Sequence, residues 1–536
     1  MKRKILLLSM VLAIMIGLLQ GCGSTTKGGT EKAITVANTA DLSTLDSSLA
    51  IAGEDMTVIS NVTEGLYRST HSGFELAAAD SVKVSDDKLT YTFKIKNTKW
   101  SDGSNVTAYD FEYAWKHLVD PKSGGEYSYM ASVAGIKNAD AILAKSSDVE
   151  TLGVKATDEK TLVVQLDHVV PYLSSVLAGT YFAPIKKEFA EKLGNKYGLS
   201  KDNVLSNGPF IVTDWTVGGS SVTLSKNKNY WDAANVRIDK LTFKTVKDSQ
   251  SGLIAYQSGS LDYVGISGDL VAKYKSSNEL KTSLAKFLYY FQPNTTNSDL
   301  TNKNLRLALA LSYNKTHITD NILKDGSIPA NFFIVNMLSS GIEGKTYRDA
   351  ANKTFLEANK SVALEYFNKA KQELGKDKFN IELLHDDDSN TSEIAQFFQS
   401  EIQTNLPGVT ITLKAQPKKN RMEIQKSGNF QLAMSRWGAD YDDPSTYFDL
   451  FKIASTYNYG KWNNSDYDKL VKSASNELLS NPQERLNAYI KAEQIIMDEA
   501  AIFPIYQKGS AFLIKSNVTV DKNTDDIVMW RTANVN

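Results

Sequence analysis

Hydrophobic and polar positions repeat along this chain with two different periods. Leu89-Thr-Tyr-Thr-Phe-Lys-Ile alternates every second residue and predicts a half-buried strand. Thr161-Leu-Val-Val-Gln-Leu and Ser221-Val-Thr-Leu predict two more. A helical period begins at Ala108, directly after Thr107, a residue type that caps helix N-termini, and predicts a helix over 108–118. Long helices are predicted over 305–323 and 482–498, the second opened by Asn481 and by Pro482 at a first-turn position. Ile381-Glu-Leu-Leu-His and Val409-Thr-Ile-Thr-Leu flank a helical stretch over 391–405, a strand, helix, strand unit suited to a parallel sheet. The fold class is α/β, in more than one lobe.

The N-terminus follows another rule. Lys2, Arg3 and Lys4 precede an apolar run over 5–19, which ends in Leu19-Gln20-Gly21-Cys22. A basic start, a short apolar stretch and a small residue before the cut describe an export signal. Leu-x-Gly-Cys resembles the bacterial lipoprotein signal, with Gln20 an uncommon occupant of its position. That resemblance implies removal of the signal peptide 1–21 and lipid on Cys22, the chain's single Cys. Residues 24–32 are Gly, Ser, Thr, Glu and Lys, so 22–32 reads as a lipidated flexible tether. No later stretch approaches the roughly 20 apolar residues that cross a bilayer. The expected location is therefore the extracytoplasmic face of the cell membrane, held by lipid.

At 536 residues the chain is too long for one core and suggests about three domains or two large lobes. Sixty basic side chains balance 61 acidic ones, for a net charge of −1, so no nucleic-acid partner is expected. The 25 Tyr, 21 Phe and 7 Trp suit a surface that grips varied ligands. The five His, at 71, 117, 168, 317 and 385, show no metal-ligand spacing, and no cofactor is expected. His385-Asp-Asp-Asp reads as a solvated loop after a strand. Gly344-Lys-Thr lacks the first Gly of a phosphate loop, Ser339 standing there instead. No Gly-x-Ser-x-Gly elbow and no His-Glu-x-x-His occur.

A series of segments carries a wider resemblance. In order, they are Asn61-Val-Thr-Glu-Gly-Leu-Tyr, Leu76-Ala-Ala-Ala-Asp-Ser-Val, Tyr91-Thr-Phe-Lys-Ile-Lys and Trp100-Ser-Asp-Gly-Ser-Asn-Val-Thr-Ala-Tyr-Asp-Phe. Asn207-Gly-Pro-Phe, Lys226-Asn-Lys-Asn-Tyr-Trp, Gly259-Ser-Leu-Asp and Asn304-Leu-Arg-Leu-Ala-Leu follow. Trp437-Gly-Ala-Asp-Tyr-Asp-Asp-Pro and Ile502-Phe-Pro-Ile-Tyr close the series. Together they resemble the extracytoplasmic solute-binding lipoproteins of peptide ABC importers, the oligopeptide- and dipeptide-binding family 5.

The resemblance implies a two-lobed periplasmic-binding-protein-like fold (type II, large peptide-binding cluster) with an extra subdomain in lobe one. Lobe one would comprise 31–58, 179–285 and 508–536, its subdomain 59–178, and lobe two 286–507. Crossings near Phe287 and Pro504 would form a hinge. The implied function is capture of short peptides by closure and delivery to ABC transporter permease subunits, by a monomer that is not an enzyme. Other cargoes on the same fold are a peptide pheromone, a nickel chelate or an oligosaccharide. A glycosidase with paired carboxylates is the rival from another class.

Trp437-Gly-Ala-Asp-Tyr-Asp-Asp-Pro is the segment richest in chemistry. Three acids within four residues beside two aromatics, ended by Pro444, fit neither a helix interior nor a regular strand. The resemblance implies that Asp440 pairs with a peptide's α-ammonium, which is charged near neutral pH. Asp442 and Asp443 are expected to be solvated or turn-forming, and Trp437 to wall a side-chain pocket beside Tyr441. Arg436 and Gly438 offer backbone groups to an extended peptide, as do Ala52 and Gly53 on lobe one. Relatives carry Arg where Met434 stands. Tyr289, Tyr290 and Asn294 are expected near the hinge, lining the cleft.

Overall fold

A computed structural model describes residues 31–523 and 528–536. Cys22, the signal and most of the tether lie outside the described residues. One eleven-stranded sheet runs through the molecule. Its order is Val409–Gln416, Phe379–Asp386, Leu432–Gly438, Leu280–Pro293, Phe503–Ile514, Tyr263–Ile266, Ala33–Asn38, Lys240–Thr245, Ser221–Lys226 and Phe210–Asp214. The short strand Ile328–Pro329 pairs off this path with Phe503–Ile514. Among the described residues no helix is long and apolar enough to cross a membrane.

The two longest strands tie the halves of the sheet together. Leu280–Pro293 and Phe503–Ile514 pair antiparallel, but the register breaks in the middle: Leu284 faces Gly509, and the next partners are Leu288 and Gln507. Ala285, Lys286 and Phe287 therefore stand opposite Lys508 alone. A bulge of this kind bends the strand and weakens its ladder locally. On one side of it lies a core built on Ile34, Phe210, Leu241 and Phe512; on the other lie cores built on Phe291, Leu383 and Phe398 and on Phe333, Tyr447 and Phe448.

A separate four-stranded antiparallel sheet, ordered Ala79–Val84, Thr90–Ile95, Thr161–Gln165, Val154–Asp158, packs with helix Ala108–Val119. Phe93, Trp100, Phe111, Trp115 and Phe182 fill the space between them. Each such buried side chain contributes roughly 1.5–3 kcal/mol. Thr107 and Asp110 close a reciprocal capping box at the helix start. Gly103 adopts a φ of +86° in the turn after Trp100, which its missing side chain permits.

The strand, helix, strand unit forms as its pattern predicts: Phe379–Asp386 and Val409–Gln416 pair in parallel around helix Ser389–Asn405. Helix Pro482–Asp498 begins with the Asn481 side chain accepting from Glu484 N. The single helix expected over 305–323 is broken. Lys303–Leu311 ends before Asn314, whose side chain accepts from Thr316 N and His317 N and starts a new turn. The remainder, Ile318–Leu323, is a π-helix. A capping Asn inside an apolar period is a stop signal that the period alone conceals. His385, expected at the start of a solvated loop, ends up buried in the strand, with Asp388 capping the following helix.

Candidate functional site

Strand Leu432–Gly438 supplies the first half of the site. One edge pairs with Leu280–Pro293 along its whole length, Gly438 facing Phe287 and Arg436 facing Tyr289. The other edge is covered only at Leu432 and Ala433, by Leu383 and Leu384. Just past the strand, Ala439 N donates to Lys286 O at 2.9 Å. Backbone groups alternate sides along a strand, so Gly438 and Arg436 turn their N–H and C=O toward the uncovered edge. An extended chain laid there would find backbone partners indifferent to its side chains.

The loop that follows supplies the second half. Three consecutive residues each reach the four-stranded-sheet subdomain. Asp440 Oδ2 accepts from the Tyr129 hydroxyl at 2.9 Å, Tyr441 stacks on Tyr172 with centroids 4.7 Å apart, and Asp442 N donates to Ser175 Oγ at 2.7 Å. Lys286, inside the bulge, donates to Asp442 Oδ1 at 2.7 Å and accepts from Tyr447 at 2.6 Å. The loop is thus fastened both to the bulged strand and to the four-stranded-sheet subdomain.

Asp440 differs electrostatically from its neighbours. Burial pushes its carboxyl up to about 6, against a smaller opposing pull from the Tyr129 hydrogen bond. No Lys or Arg among the described residues lies within ion-pair distance of it. Aromatic rings surround it instead. Tyr129 stacks beside Tyr127 at 6.0 Å, and Trp437 meets Tyr457 edge-on at 5.2 Å. The Tyr127 and Tyr457 phenols are raised by burial and next by the Asp440 charge. Asp440 is thus a half-buried carboxylate bordered by aromatics and, among the described residues, without a cation partner.

Comparison with known proteins identifies the family. The family model described as bacterial extracellular solute-binding proteins, family 5 Middle, matches residues 73–459. The chain belongs to family 5 of the bacterial extracellular solute-binding proteins. It is 32% identical to a dipeptide-binding protein of Lactococcus lactis subsp. cremoris, over 96% of each chain. The solved structure of Listeria monocytogenes OppA bound to peptide superposes with a TM-score of 0.78 at 32% identity, covering 95% of this chain and 99% of that one. The pheromone receptor PrgZ, solved for its mode of peptide binding, gives a TM-score of 0.78 at 31% identity, covering 95% and 100%. The two-lobed periplasmic-binding fold follows from these likenesses.

Within this family 5 chain, the expected residues fall in different surroundings. Asp440, Arg436, Gly438 and Trp437 come together around the uncovered edge and its loop. Trp437 also donates through Nε1 to Thr446 Oγ1 at 3.3 Å, which fixes its ring. Tyr441 is buried in the subdomain's core, where it serves contact between lobes. Tyr289 lies under Arg436, accepting from its Nη1 at 2.8 Å.

Ala52 and Gly53 open helix Gly53–Val62 beside the exposed Leu49 and Ile51. A Cβ on Gly53 would meet nothing within 4 Å. The preceding turn touches the Tyr129 loop, since a Cβ on Gly125 would run into Ser48 O.

Two expectations about the cleft do not hold. Tyr290 points into the core and meets Phe451 edge-on. Asn294 is consumed by a turn, donating to Gly428 O and Phe430 O and accepting from Thr296. Nor are the other two acids of the loop solvated. Asp443 is 2% exposed and forms a bidentate pair with Arg485 at 2.6 and 2.7 Å, while Asp442 is held by Lys286 and Ser339 N. Tyr129, Tyr127 and Tyr457 escaped the sequence reading; only their abundance hinted at them.

A crevice of about 1420 Å³ opens against Asp442 and Asp443 rather than Asp440. Volume alone favours that crevice. Its loop acids are already paired, so the chemistry favours the strand edge.

Proposed function

We propose that this chain captures short peptides between its lobes and hands them to the permease subunits of an ABC transporter. The α-ammonium pairs with Asp440, and the peptide backbone extends along the edge presented by Gly438 and Arg436. Ala52 and Gly53 close on it from lobe one. The second lobe, 286–507, moves about the bulge at Ala285–Phe287 and Lys508. Lipid on Cys22 keeps the protein at the extracytoplasmic face of the membrane.

The observation that carries this reading is Asp440, a half-buried carboxylate without a cation at the end of an unpaired strand edge. Each backbone bond is worth about 0.5–1.5 kcal/mol net, so four to six of them with one ammonium pair reach about micromolar affinity. Relatives named for dipeptide and pheromone-peptide binding support the cargo class. Asp440 favours a cationic terminus over a neutral sugar. A peptide pheromone remains within the same chemistry, since it too carries an α-ammonium.

Thermal unfolding with intact free-amine peptides tests the proposal. At a peptide concentration 100 times Kd, binding adds about 2.7 kcal/mol and raises Tm without cleaving the peptide. No shift across a diverse peptide set, or turnover of the peptide, would defeat it.

A further inference from the structure

Lys286 holds the loop that carries Asp440 by both ends. Its carbonyl accepts from Ala439 N at 2.9 Å, where the loop leaves the strand, and from the Tyr447 hydroxyl at 2.6 Å. Its ammonium donates to Asp442 Oδ1 at 2.7 Å, at the other end of the loop. Asp440 is suspended between these two contacts to one residue. Its own N–H makes a longer bond, 3.4 Å to Thr446 Oγ1, so the placement of its carboxylate depends on where the loop ends are held. Asp442 is held from two further sides: Ser339 N donates to its Oδ1 at 3.0 Å, and its N–H donates to Ser175 Oγ at 2.7 Å. Lys286 is also the middle residue of the bulge, where Ala285, Lys286 and Phe287 face Lys508 alone and the strand bends more freely than its paired ends.

We infer that Lys286 is a positioning residue, which carries displacement of the bulge to the Asp440 carboxylate and so couples bending of the strand to presentation of the anchor. This rests on the peptide-capture reading above. The Lys286 side chain is 5% exposed, and both lone pairs of its carbonyl are occupied. Moving Lys286 without the loop would part a buried ammonium from its carboxylate and leave a carbonyl unpaired, which costs more than moving the loop along with it. The loop therefore follows the bulge, and Asp440 moves with the loop.

Calorimetry on the full-length protein, with one short peptide supplied as its free amine and as its N-acetyl form, reads the coupling as a ratio of affinities. A role confined to folding weakens both forms alike and leaves the ratio as it is, whereas a displaced anchor lowers the ratio. Lys286→Met should reduce it at least about tenfold, chiefly through the free amine. Asp442→Asn should act in the same direction. Lys286→Met with Asp442→Asn, which strands neither charge, should lose no more than the worse single variant. A wild-type ratio in Asp442→Asn or in the double variant overturns the inference, whether or not Lys286→Met folds alone, and so do losses that multiply in the double variant. If the wild-type protein binds neither form, or both alike, the peptide reading fails first. If it discriminates and the double variant discriminates equally, only this inference fails.

Discussion

The Tyr129 hydroxyl and the Asp440 carboxylate meet at 2.9 Å across a sequence separation of 311 residues. Tyr129 ends a short 3-10 turn of the subdomain, and Asp440 begins the loop after the last strand of the opposite half-sheet. This contact places a neutral donor against the same oxygen that an ammonium would seek. The phenol is a poor substitute for a cation: the carboxyl stays raised to about 6 beside it.

That raised carboxyl gives the protein a defined pH response. Between about 3.8 and about 6 the folded chain keeps a proton that the unfolded chain has lost. The stability owed to that proton falls as pH rises through this window and is gone above it. Asp440→Asn should therefore raise the Tm of the ligand-free protein at pH 7.5, by about 2 °C. A lower Tm at that pH would contradict the electrostatic account.

Binding should respond with the opposite sign. An ammonium needs the ionised carboxylate, so affinity for free-amine peptides should hold above pH 7 and weaken as pH drops below about 6. The loss approaches tenfold per unit. Calorimetry from pH 4.5 to 8 reads the midpoint directly, and an affinity flat over that range would contradict the assignment.

How much of this the amino-acid sequence discloses depends on the range of the interaction. The capping of Ala108–Val119 by Thr107 and of Pro482–Asp498 by Asn481 is local, and both helices form as predicted. Asn314 is local too, but its capping role competes with an apolar period and is recognised only in the structure. The partner of Asp443 is not local. Arg485 sits on a helix 42 residues away, and nothing in Asp-Tyr-Asp-Asp says which acid turns inward. Asp440 is singled out in the sequence only by resemblance, whereas Tyr129, Tyr127 and Tyr457 belong to segments without a distinguishing pattern. Tyr290 and Asn294 were misplaced because proximity to a hinge does not reveal which way a side chain points.

The buried pair between Asp443 and Arg485 predicts a structural loss. Asp443→Ala strands a guanidinium among Tyr172 and Tyr489 and should cost about 3–5 kcal/mol in urea unfolding. A cost under about 1 kcal/mol would show that the pair holds little of the loop's order.

Gly438 predicts a steric loss with a specific rescue. A Cβ there would clash with the outer atoms of the Phe287 ring, at the end of the bulge. Phe287 is 41% exposed and has room to be cut back. Gly438→Ala should weaken peptide binding about tenfold, and Gly438→Ala with Phe287→Ala should recover most of it. Additive losses in the double variant would place the defect elsewhere.

The central claim is that a peptide's positive terminus meets the Asp440 carboxylate. Isothermal titration with one peptide sequence, supplied with a free amine and with an N-acetyl cap, tests it most directly. The account predicts measurable binding of the free amine, at least about a hundredfold weaker binding of the capped form, and a matching loss for the free amine in Asp440→Asn. Equal affinity of the two forms for the wild-type protein would contradict it.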